Sequence, residues 1–351
     1  MSKDLQPAYL VLEDGAVYQG VAPAWQTGSY SGEVVFTTGM TGYFESLTDP
    51  SYKGQHLIFT YPLIGNYGVP EPQYWESDRI QTAGVIMSDA CLNWSHFLGK
   101  RSLLEWFASE RVPVITGVDT RDLTKRIRNR GAMLGVISDT RETAGGITDP
   151  NLLNLVAQVS IPLPQIRGRG RKKVVAIDCG IKTNILRCLE KYDTVVHQVP
   201  HDYNFLNDEF DGIFISNGPG NPETCTETIR LLQQAMKLKK PIFGICLGSQ
   251  LLSLAAGART YKLPFGHRGH NQPCIDLQTG KCYMTSQNHG WAIDEKSLPA
   301  EWKASFRNLN DGTVEGIRHK SLPYYAVQFH PEAAPGPTDT DWIFEEFIKA
   351  L

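Results

Sequence analysis

Short apolar runs alternate with stretches of helical spacing in the second half of the chain. Strands that alternate with helices of about ten to fifteen residues indicate βαβ units, and therefore an α/β fold with a mainly parallel, doubly wound sheet. Ligands of such folds bind beyond the carboxyl ends of the strands. The predicted strands cover 173–178, 194–199, 212–216, 241–246 and 324–327, and the predicted helices cover 182–191, 226–238 and the residues after Cys246.

The first half follows a different pattern, in which short apolar runs are separated by turn dipeptides. This pattern predicts a strand-rich α/β domain with few helices. Strands are expected around Val34–Phe36, Leu57–Phe59 and Val112–Val114, turns at Asp49-Pro50 and Gly65-Asn66, and helices over Leu103–Glu110 and Arg121–Arg130.

A segment rich in Pro, Gly and Arg separates the two halves. Pro162 and Pro164 interrupt regular structure, and five of the seven residues from Arg167 to Lys173 are basic. Such a run can bind nucleic acid or phosphate, but in a chain of 351 residues with a net charge of −3 a solvated linker is favoured. Because this length predicts two domains, we expect the boundary near Arg167.

One stretch of 18 residues, Pro241–Ala258, carries no charge and approaches the length of a membrane span. It contains three glycines and three other polar residues, so we interpret it as a strand, a turn and a helix buried in the core of a soluble sheet. The first residues, MSKDLQPAYLVLEDG, lack the apolar core of a secretory signal. The expected location is therefore the cytoplasm.

The sequence offers little support for a metal or a nucleotide. The seven cysteines form no C-x-x-C pair, and no Asp/Glu/His cluster has metal-ligand spacing along the chain. Free thiols are expected in a reducing compartment. Because no phosphate-binding Gly-rich loop follows a strand, we expect neither a metal nor a nucleotide on this chain.

Cys246 lies between Gly244 and Gly248, after a predicted strand and before a predicted helix. A sharp strand-to-helix turn needs small residues on both sides of its apex, as in the G-x-S-x-G nucleophile elbow. A thiol at a helix N-terminus is also favoured as the thiolate. The alternative is a buried structural cysteine in a Gly-rich turn, and this motif alone does not decide between them.

Two further motifs follow predicted strands. Q-F-H-P-E (328–332) contains His330, which suits proton transfer to and from a thiolate, and Glu332, which can orient the ring. S-N-G-P-G-N-P (216–222) contains Gly218 and Gly220, whose N–H groups suit an oxyanion. Each motif alone is also typical of a plain turn. Because the ends of parallel strands meet at one edge of a sheet, the three motifs together favour one catalytic crevice.

Together these motifs resemble those of the triad-type, class I glutamine amidotransferases. Segments 36–55, 59–68, 115–133, 265–273 and 285–293 are similar to the small, glutamine-hydrolysing subunit of carbamoyl-phosphate synthase, so the resemblance spans both halves. It implies an N-terminal domain, 1–165, that is specific to this subunit, contacts the partner and forms part of the glutamine site. It also implies an amidotransferase domain at 172–351.

The resemblance implies site residues position by position. Cys246 is the expected nucleophile, His330 the general base and then acid, and Glu332 its orienting partner. Leu247 N–H and a glycine N–H of the 218–220 turn are expected to stabilise the oxyanion, and Ser51 would place the site at the domain interface. The implied glutamine contacts are Ser51, Gly218, Gly220, Leu247, Gln250, Asn288, Gly290 and Trp291.

Two positions depart from the pattern of the family. Position 249 is Ser where relatives commonly carry His, and position 291 is Trp where many carry Phe. Neither belongs to the triad. We interpret the other histidines as structural residues, with hydrogen-bonding roles for His267, His270 and His289 and surface or core positions for His56, His96, His197, His201 and His319.

The activity implied by the resemblance is hydrolysis of glutamine through a Cys thioester. The ammonia would pass through a channel to a large subunit, which makes carbamoyl phosphate from bicarbonate and two ATP for arginine biosynthesis, pyrimidine biosynthesis or both. No cofactor is expected on this chain, and ATP and Mg are expected on the large subunit, with the oligomeric state of the heterodimer left open. The alternatives are another class I amidotransferase, a Cys-containing α/β-hydrolase acting on esters or lactones, and a catalytically weak assembly or regulatory subunit.

Overall fold

The computed structural model describes residues 5–141 and 147–351. The chain divides into two compact units, Met1–Leu153 and Asn154–Leu351. The sequence predicted a boundary near Arg167, and the observed division lies upstream of it. The helices are α1 Tyr43–Thr48, α2 Leu103–Glu110, α3 Thr120–Arg130, α4 Thr183–Glu190, α5 Thr226–Ala235, α6 Leu247–Ala255 and α7 Trp342–Ala350. The strands are β1 Leu5–Leu12, β2 Val17–Pro23, β3 Ser29–Thr37, β4 Gln55–Phe59, β5 Gly84–Ile86, β6 Val114–Ile115, β7 Met133–Ser138, β8 Gln165–Gly168, β9 Lys172–Asp178, β10 Thr194–Pro200, β11 Gly212–Ile215, β12 Ile242–Ile245, β13 Arg259–Asp276, β14 Cys282–Asp294, β15 Trp302–Asn308, β16 Val314–His319 and β17 Tyr324–Val327.

The first unit is built on a seven-stranded sheet of order β2-β1-β7-β3-β4-β5-β6. Strands β3 to β6 are parallel, and the remaining pairs are antiparallel. The first and last strands of this order meet where Val21 and Thr116 exchange two backbone hydrogen bonds, so the sheet closes on itself. Gly20 permits this approach, because a Cβ there would lie 2.3 Å from the Thr116 carbonyl oxygen. The expected strand-rich first domain is thereby confirmed.

Helix α2 occupies the range that the sequence predicted because both its start and its apolar face are encoded locally. Ser102 and Glu105 form a capping box, in which each side chain accepts a hydrogen bond from the backbone N–H of the other. Leu103, Trp106 and Phe107 then recur at helical spacing and are buried in the core of the first unit. The predicted strand at Val112–Val114 is displaced, since β6 begins only at Val114.

The second unit is built on a ten-stranded sheet of order β14-β13-β15-β16-β17-β12-β11-β9-β10-β8. Its five central strands, β17, β12, β11, β9 and β10, are parallel, and the flanking strands pair antiparallel. The predicted α/β fold with a doubly wound parallel core is confirmed. The antiparallel strands β13 to β16 extend the parallel core on one side. The apolar runs of the sequence had not predicted these four strands.

Both faces of this sheet are apolar, which explains the continuous apolar runs of its central strands. Val175 and Ile177 of β9 pack with residues of α5 and α6 on one face. Val174 and Ala176 pack with residues of α4 and α7 on the other. Parallel strands covered by helices on both sides are expected to lack a polar face.

The Pro/Gly/Arg segment contains a short strand rather than only a linker. β8 pairs antiparallel with β10 at the edge of the second sheet. A Cβ at Gly170 would lie 2.0 Å from the backbone N of Thr194, and Gly168 has a φ of 74°. Glycine therefore allows this segment to lie close to the backbone of Thr194. The segment is at the edge of the sheet, where breaks in the hydrogen-bond ladder are tolerated.

Within the described residues, no helix is both long enough and apolar enough to cross a membrane. The charge-free stretch 241–258 consists of β12, a turn at Cys246 and α6, nearly all of it buried in the second unit.

Candidate active site

Cys246 is the apex of a tight turn between β12 and α6. Its φ of 53° and ψ of −107° are strained for a residue with a side chain. The flanking glycines are required by space, because a Cβ at Gly244 would lie 2.6 Å from the Gly248 carbonyl oxygen. A Cβ at Gly248 would lie 2.2 Å from the carbonyl oxygen of Ile215. The geometry is therefore that of a nucleophile elbow.

The elbow holds the thiol in a buried and defined position. Cys246 is 2% exposed, and its thiol donates to the carbonyl oxygen of Asn288 at 3.6 Å. Its backbone N donates to Val327 of β17, and the Ser249 hydroxyl donates to its carbonyl oxygen at 2.7 Å. Ser249, the residue that departs from the pattern of the family, thus fixes the backbone of the turn. The first N–H groups of α6 point toward this end of the helix, where they favour negative charge.

His330 and Glu332 follow β17 and form a buried pair. His330 Nδ1 lies 2.6 Å from Glu332 Oε1, and the two side chains are 2% and 0% exposed. The backbone N of His330 donates to the Ser286 carbonyl oxygen of β14, which fixes the loop after the strand. His330 Nε2 makes no hydrogen bond of ordinary geometry within the described residues, although Cys246 is near enough to act on the ring. Catalytic hydrogen bonds are often long before substrate binds.

A residue that sequence reasoning missed completes this arrangement. The Lys182 ammonium lies 2.9 Å from Glu332 Oε1 and donates to the carbonyl oxygen of Ala333 at 2.5 Å. Lys182 precedes α4, and its side chain is only 3% exposed. A buried lysine almost always has a charged partner. The position of Lys182 shortly after a predicted strand, at the edge of the sheet where the site was expected, was the available signal for a role in the site.

The charges of this cluster shift both pKa values in opposite directions. Burial alone would lower the pKa of His330, but the charges of Glu332 and Cys246 outweigh it and raise the pKa to about 10. Burial would raise the pKa of Glu332, but Lys182 and His330 lower it to about 2. At neutral pH the pair is therefore an imidazolium beside a carboxylate, and the imidazolium is a proton donor next to Cys246.

The 216–222 turn lies beside the elbow. A Cβ at Gly218 would lie 2.0 Å from the Cys179 carbonyl oxygen and 2.8 Å from the side chain of Leu247. Gly220 has a φ of 83°, in the left-handed region. The turn is joined to the start of α4, because the buried Asn217 side chain accepts a hydrogen bond from Lys182 N at 3.1 Å. Both glycines and the first residue of α6 thus share one end of the parallel sheet.

Strand β14 supplies the other predicted contacts within the second unit. Asn288 touches the thiol through its carbonyl oxygen, and the Trp291 carbonyl oxygen accepts a hydrogen bond from Gln250 Nε2 at 3.0 Å. Gln250 Nε2 also donates to the Gln328 side chain at 3.0 Å. A Cβ at Gly290 would meet only the end of the Arg268 side chain, 3.2 Å away. Asn288 thus contacts the elbow directly, and Gln250 of α6 joins Trp291 of β14 by a hydrogen bond to its backbone.

Ser51 lies in the first unit. It is buried in a 3₁₀ turn, Pro50–Tyr52, where its backbone N donates to the Asp49 side chain at 2.9 Å. Its predicted contact with glutamine stays a prediction.

Two histidines that we interpreted as structural converge with a glutamate. His267, His289 and Glu315 are buried, and one ligand atom from each lies within 4.8 Å of the others. The spacing along the chain did not indicate this cluster, because strand pairing and not sequence proximity brings it together. The remaining histidines include His56, whose pKa is lowered by burial to about 4, and His270, whose pKa burial and Lys182 also lower to about 4.

The geometry matches acyl transfer at a thiol. A buried nucleophile at a helix N-terminus faces an imidazole that is oriented by a carboxylate, and glycine turns supply backbone N–H groups next to it.

Comparison with protein families agrees with both halves of the chain. The model of the glutamine amidotransferase class-I family matches residues 175–350, and that of the carbamoyl-phosphate synthase small chain, CPSase domain, matches residues 10–137.

Similar proteins fall into two size classes. The carbamoyl phosphate synthase arginine-specific small chain of Chaetomium globosum is 48% identical over 360 residues, which cover 97% of this chain and 78% of that protein. The multifunctional protein pyrABCN of Emericella nidulans is 46% identical over 387 residues, which cover 97% of this chain but 17% of that protein. The multifunctional protein CAD of Squalus acanthias is 47% identical over 355 residues, which cover 97% of this chain and 16% of that protein. This chain thus spans a small part of the multifunctional relatives and most of the small chains.

Proposed function

Because the chain belongs to the family of carbamoyl-phosphate synthase small chains, we propose that it hydrolyses L-glutamine and supplies the ammonia to carbamoyl phosphate synthesis. The observation that carries this proposal is the strained Cys246 apex beside the buried His330–Glu332 pair. A structural cysteine would need neither the strain nor the adjacent ion pair.

The first half of the reaction forms a thioester. The Cys246 thiolate attacks the carboxamide carbon of glutamine, and the carbonyl oxygen becomes an oxyanion. The N–H of Leu247 and a glycine N–H of the 218–220 turn stabilise this charge, since the first N–H groups of a helix have no intrahelical acceptor. His330, protonated at rest, donates its proton to the amide nitrogen, and the carbon–nitrogen bond breaks to release ammonia.

The second half returns the enzyme to its starting state. His330 takes a proton from water, and the resulting hydroxide attacks the γ-glutamyl thioester. The carbon–sulfur bond breaks to give glutamate, and the thiolate and imidazolium form again. Glu332 keeps Nδ1 of the ring protonated throughout, so that Nε2 carries the proton being transferred.

Substrate contacts follow from the position of side chains and carbonyl groups around the elbow. Asn288 contacts the thiol and Gln250 contacts Trp291, and these residues together with Gly290 are proposed to bind the α-amino and α-carboxylate groups of glutamine. Gly218, Gly220 and Leu247 are proposed to contact glutamine as well. Ser51 is included in the glutamine site on the strength of the motif around it.

The proposed partner is a large synthetase subunit or domain that binds ATP and Mg and receives the ammonia. The hydrolysis proposed for this chain needs no cofactor, because thiol chemistry on an amide requires neither a nucleotide nor a metal. The small-chain and multifunctional relatives are consistent with a partner that is either separate or fused. The product is proposed to enter arginine or pyrimidine biosynthesis.

The test compares glutamate release by the wild type and Cys246→Ser, each with and without the large partner. The wild type should release glutamate and Cys246→Ser should not. In the complex, Cys246→Ala should make carbamoyl phosphate from ammonium but not from glutamine. Failure of the wild type to release glutamate with its partner would favour a purely structural subunit. Glutamate release without support of carbamoyl phosphate formation would favour another amidotransferase.

A further inference from the structure

Three strands of the second unit bring His267, His289 and Glu315 together. His267 on β13 and His289 on β14 are direct cross-strand partners. Glu315 on β16 adjoins them, because its neighbour Val314 pairs with Ile293 of β14. All three are buried, and Glu315 is 0% exposed. None of these residues has a part in the proposed hydrolysis of glutamine.

Hydrogen bonds fix which nitrogen of each ring carries a proton. His267 Nε2 lies 2.8 Å from Asp311 Oδ2, and His289 Nδ1 lies 2.9 Å from the Trp291 carbonyl oxygen. Both oxygens can only accept, so these two nitrogens donate. In the neutral rings the lone pairs are then on His267 Nδ1 and His289 Nε2. This arrangement, an imidazole held through its other nitrogen by a carboxylate or a carbonyl group, is typical of metal-bound histidines.

The two nitrogens lie near the same carboxylate oxygen. This oxygen also accepts a hydrogen bond from Thr313 Oγ1 at 3.3 Å, and Asn308 Nδ2 lies 3.5 Å from His267 Nδ1. His267 Nδ1 lies 3.4 Å and His289 Nε2 lies 3.7 Å from Glu315 Oε1. The ligands of a tetrahedral ion with bonds of about 2.0–2.1 Å are separated by about 3.4 Å. The two distances to Glu315 Oε1 are thus close to this ligand separation, and all three ligand atoms lie within 4.8 Å of one another.

The surroundings of His289 Nε2 argue for a cation at this point. Its other neighbour is Gln287 Oε1 at 3.2 Å, and the amide nitrogen of Gln287 is directed to Cys274 and Thr285. Both neighbours of this nitrogen are thus oxygen acceptors. A bound cation satisfies all of these lone pairs at once.

A second observation is the unpaired oxygen of the glutamate. Glu315 Oε2 is buried and has no hydrogen-bond partner among the residues that the structure describes. A buried carboxylate without full pairing is costly unless it is protonated or coordinates a metal. Asp311, the partner of His267 Nε2, has a side chain that is 40% exposed.

We propose that His267 Nδ1, His289 Nε2 and Glu315 bind one divalent transition-metal ion, with Zn²⁺ as the preferred ion. Two imidazole nitrogens and a carboxylate suit Zn²⁺ in tetrahedral geometry, and Gln287 Oε1 is the nearest further oxygen on the same side. The ion joins β13, β14 and β16 and so has a structural role. It steadies the segment of β14 that continues into Asn288, Gly290 and Trp291.

The experiment uses the full chain in a Cys246→Ala background, which removes the other site where a thiol and an imidazole meet. The chain is stripped with a chelator, titrated with Co²⁺ as a spectroscopic probe, and dialysed. One Co²⁺ per chain should remain, with the visible absorption of tetrahedral nitrogen and oxygen ligation and no thiolate charge-transfer band. Zn²⁺ should displace Co²⁺ and raise the Tm of the chain.

Two variants and a matched control locate the ion. Glu315→Gln keeps the shape of the side chain and should weaken Co²⁺ binding at least about 10- to 100-fold, as should His267→Asn. His319→Asn, at the end of the same strand as Glu315, should leave binding unchanged. A folded Cys246→Ala chain that retains no metal would overturn the proposal, and so would a thiolate spectrum or an affinity that neither variant changes. None of these measurements depends on glutamine hydrolysis, so they can fail independently of the proposed function.

Discussion

Lys182 provides the positive charge that allows Glu332 to remain ionised in a buried position. Its ammonium and the His330 ring share the same carboxylate oxygen, at 2.9 and 2.6 Å. Lys182→Met should destabilise the second unit by about 3 kcal/mol. This value is at the low end for the loss of one partner of a buried ion pair, because His330 still pairs with Glu332. Glutamate release should fall together with the rate of Cys246 alkylation, and Lys182→Arg should restore part of both.

The matched control is Lys349→Met. Its bridge to Glu345 joins side chains that are 71% and 51% exposed, so its loss should cost under about 1 kcal/mol and leave alkylation unchanged. Equal effects of the two substitutions on Tm and on alkylation would show that Lys182 has no special role.

The same cluster predicts how stability depends on pH. The pKa of Glu332 is lowered from 4.5 to about 2, so its contribution is complete above pH 4.5 and is lost as the pH falls through 2. The pKa of His330 is raised from 6.5 to about 10, so its contribution is complete below pH 6.5 and is lost as the pH rises through 10. The Tm difference between the wild type and Glu332→Gln should therefore be largest between pH 4.5 and 6.5 and shrink on both sides. A difference that is constant with pH would contradict the ion pair.

At the scale of elements, the turn between β12 and α6 depends on space that only glycine leaves. Gly248→Ala places a Cβ 2.2 Å from the carbonyl oxygen of Ile215, which is backbone of the adjacent strand and cannot move aside. We expect a loss of stability of roughly 1–3 kcal/mol or more, with a larger loss of glutaminase activity as the elbow is displaced. Gly312→Ala is the control, because its Cβ meets nothing within 4 Å although its φ is 79°. If both variants retain activity, the elbow is not under the proposed steric constraint.

The sequence predicted those elements whose signals are local. The elbow glycines, the helical spacing of Leu103–Glu110 and the apolar runs of the parallel strands each lie within a few residues, and the structure has them where they were expected. Lys182 was missed because its partner Glu332 is 150 residues away along the chain. Strands β13 and β14 were missed because their side chains are largely polar, and register shifts after Lys262 and Gly269 interrupt the alternation that identifies a strand. The His267–His289 pairing depends on that register and was therefore invisible from spacing.

At the scale of the whole molecule, each unit has its own core. One apolar cluster lies between Val35 and Val114, and the two clusters on either face of the second sheet lie between Val156 and Ile348. Cys246, His330, Glu332 and Lys182 all belong to the second unit. A fragment of residues 154–351 should therefore fold alone, because its parallel sheet keeps helices on both faces and leaves no cluster divided.

The measurement is thermal unfolding of this fragment by near-ultraviolet circular dichroism, together with alkylation of Cys246. A cooperative transition is expected, and the alkylation rate that disappears in Cys246→Ala should match that of the full chain, because the imidazolium and its carboxylate are both retained. The comparison with Cys246→Ala is needed since Cys282 is exposed and reacts as well. A fragment without fixed aromatic signals would show that the second core needs the first unit. A folded fragment with an unreactive Cys246 would show instead that the first unit activates the thiol.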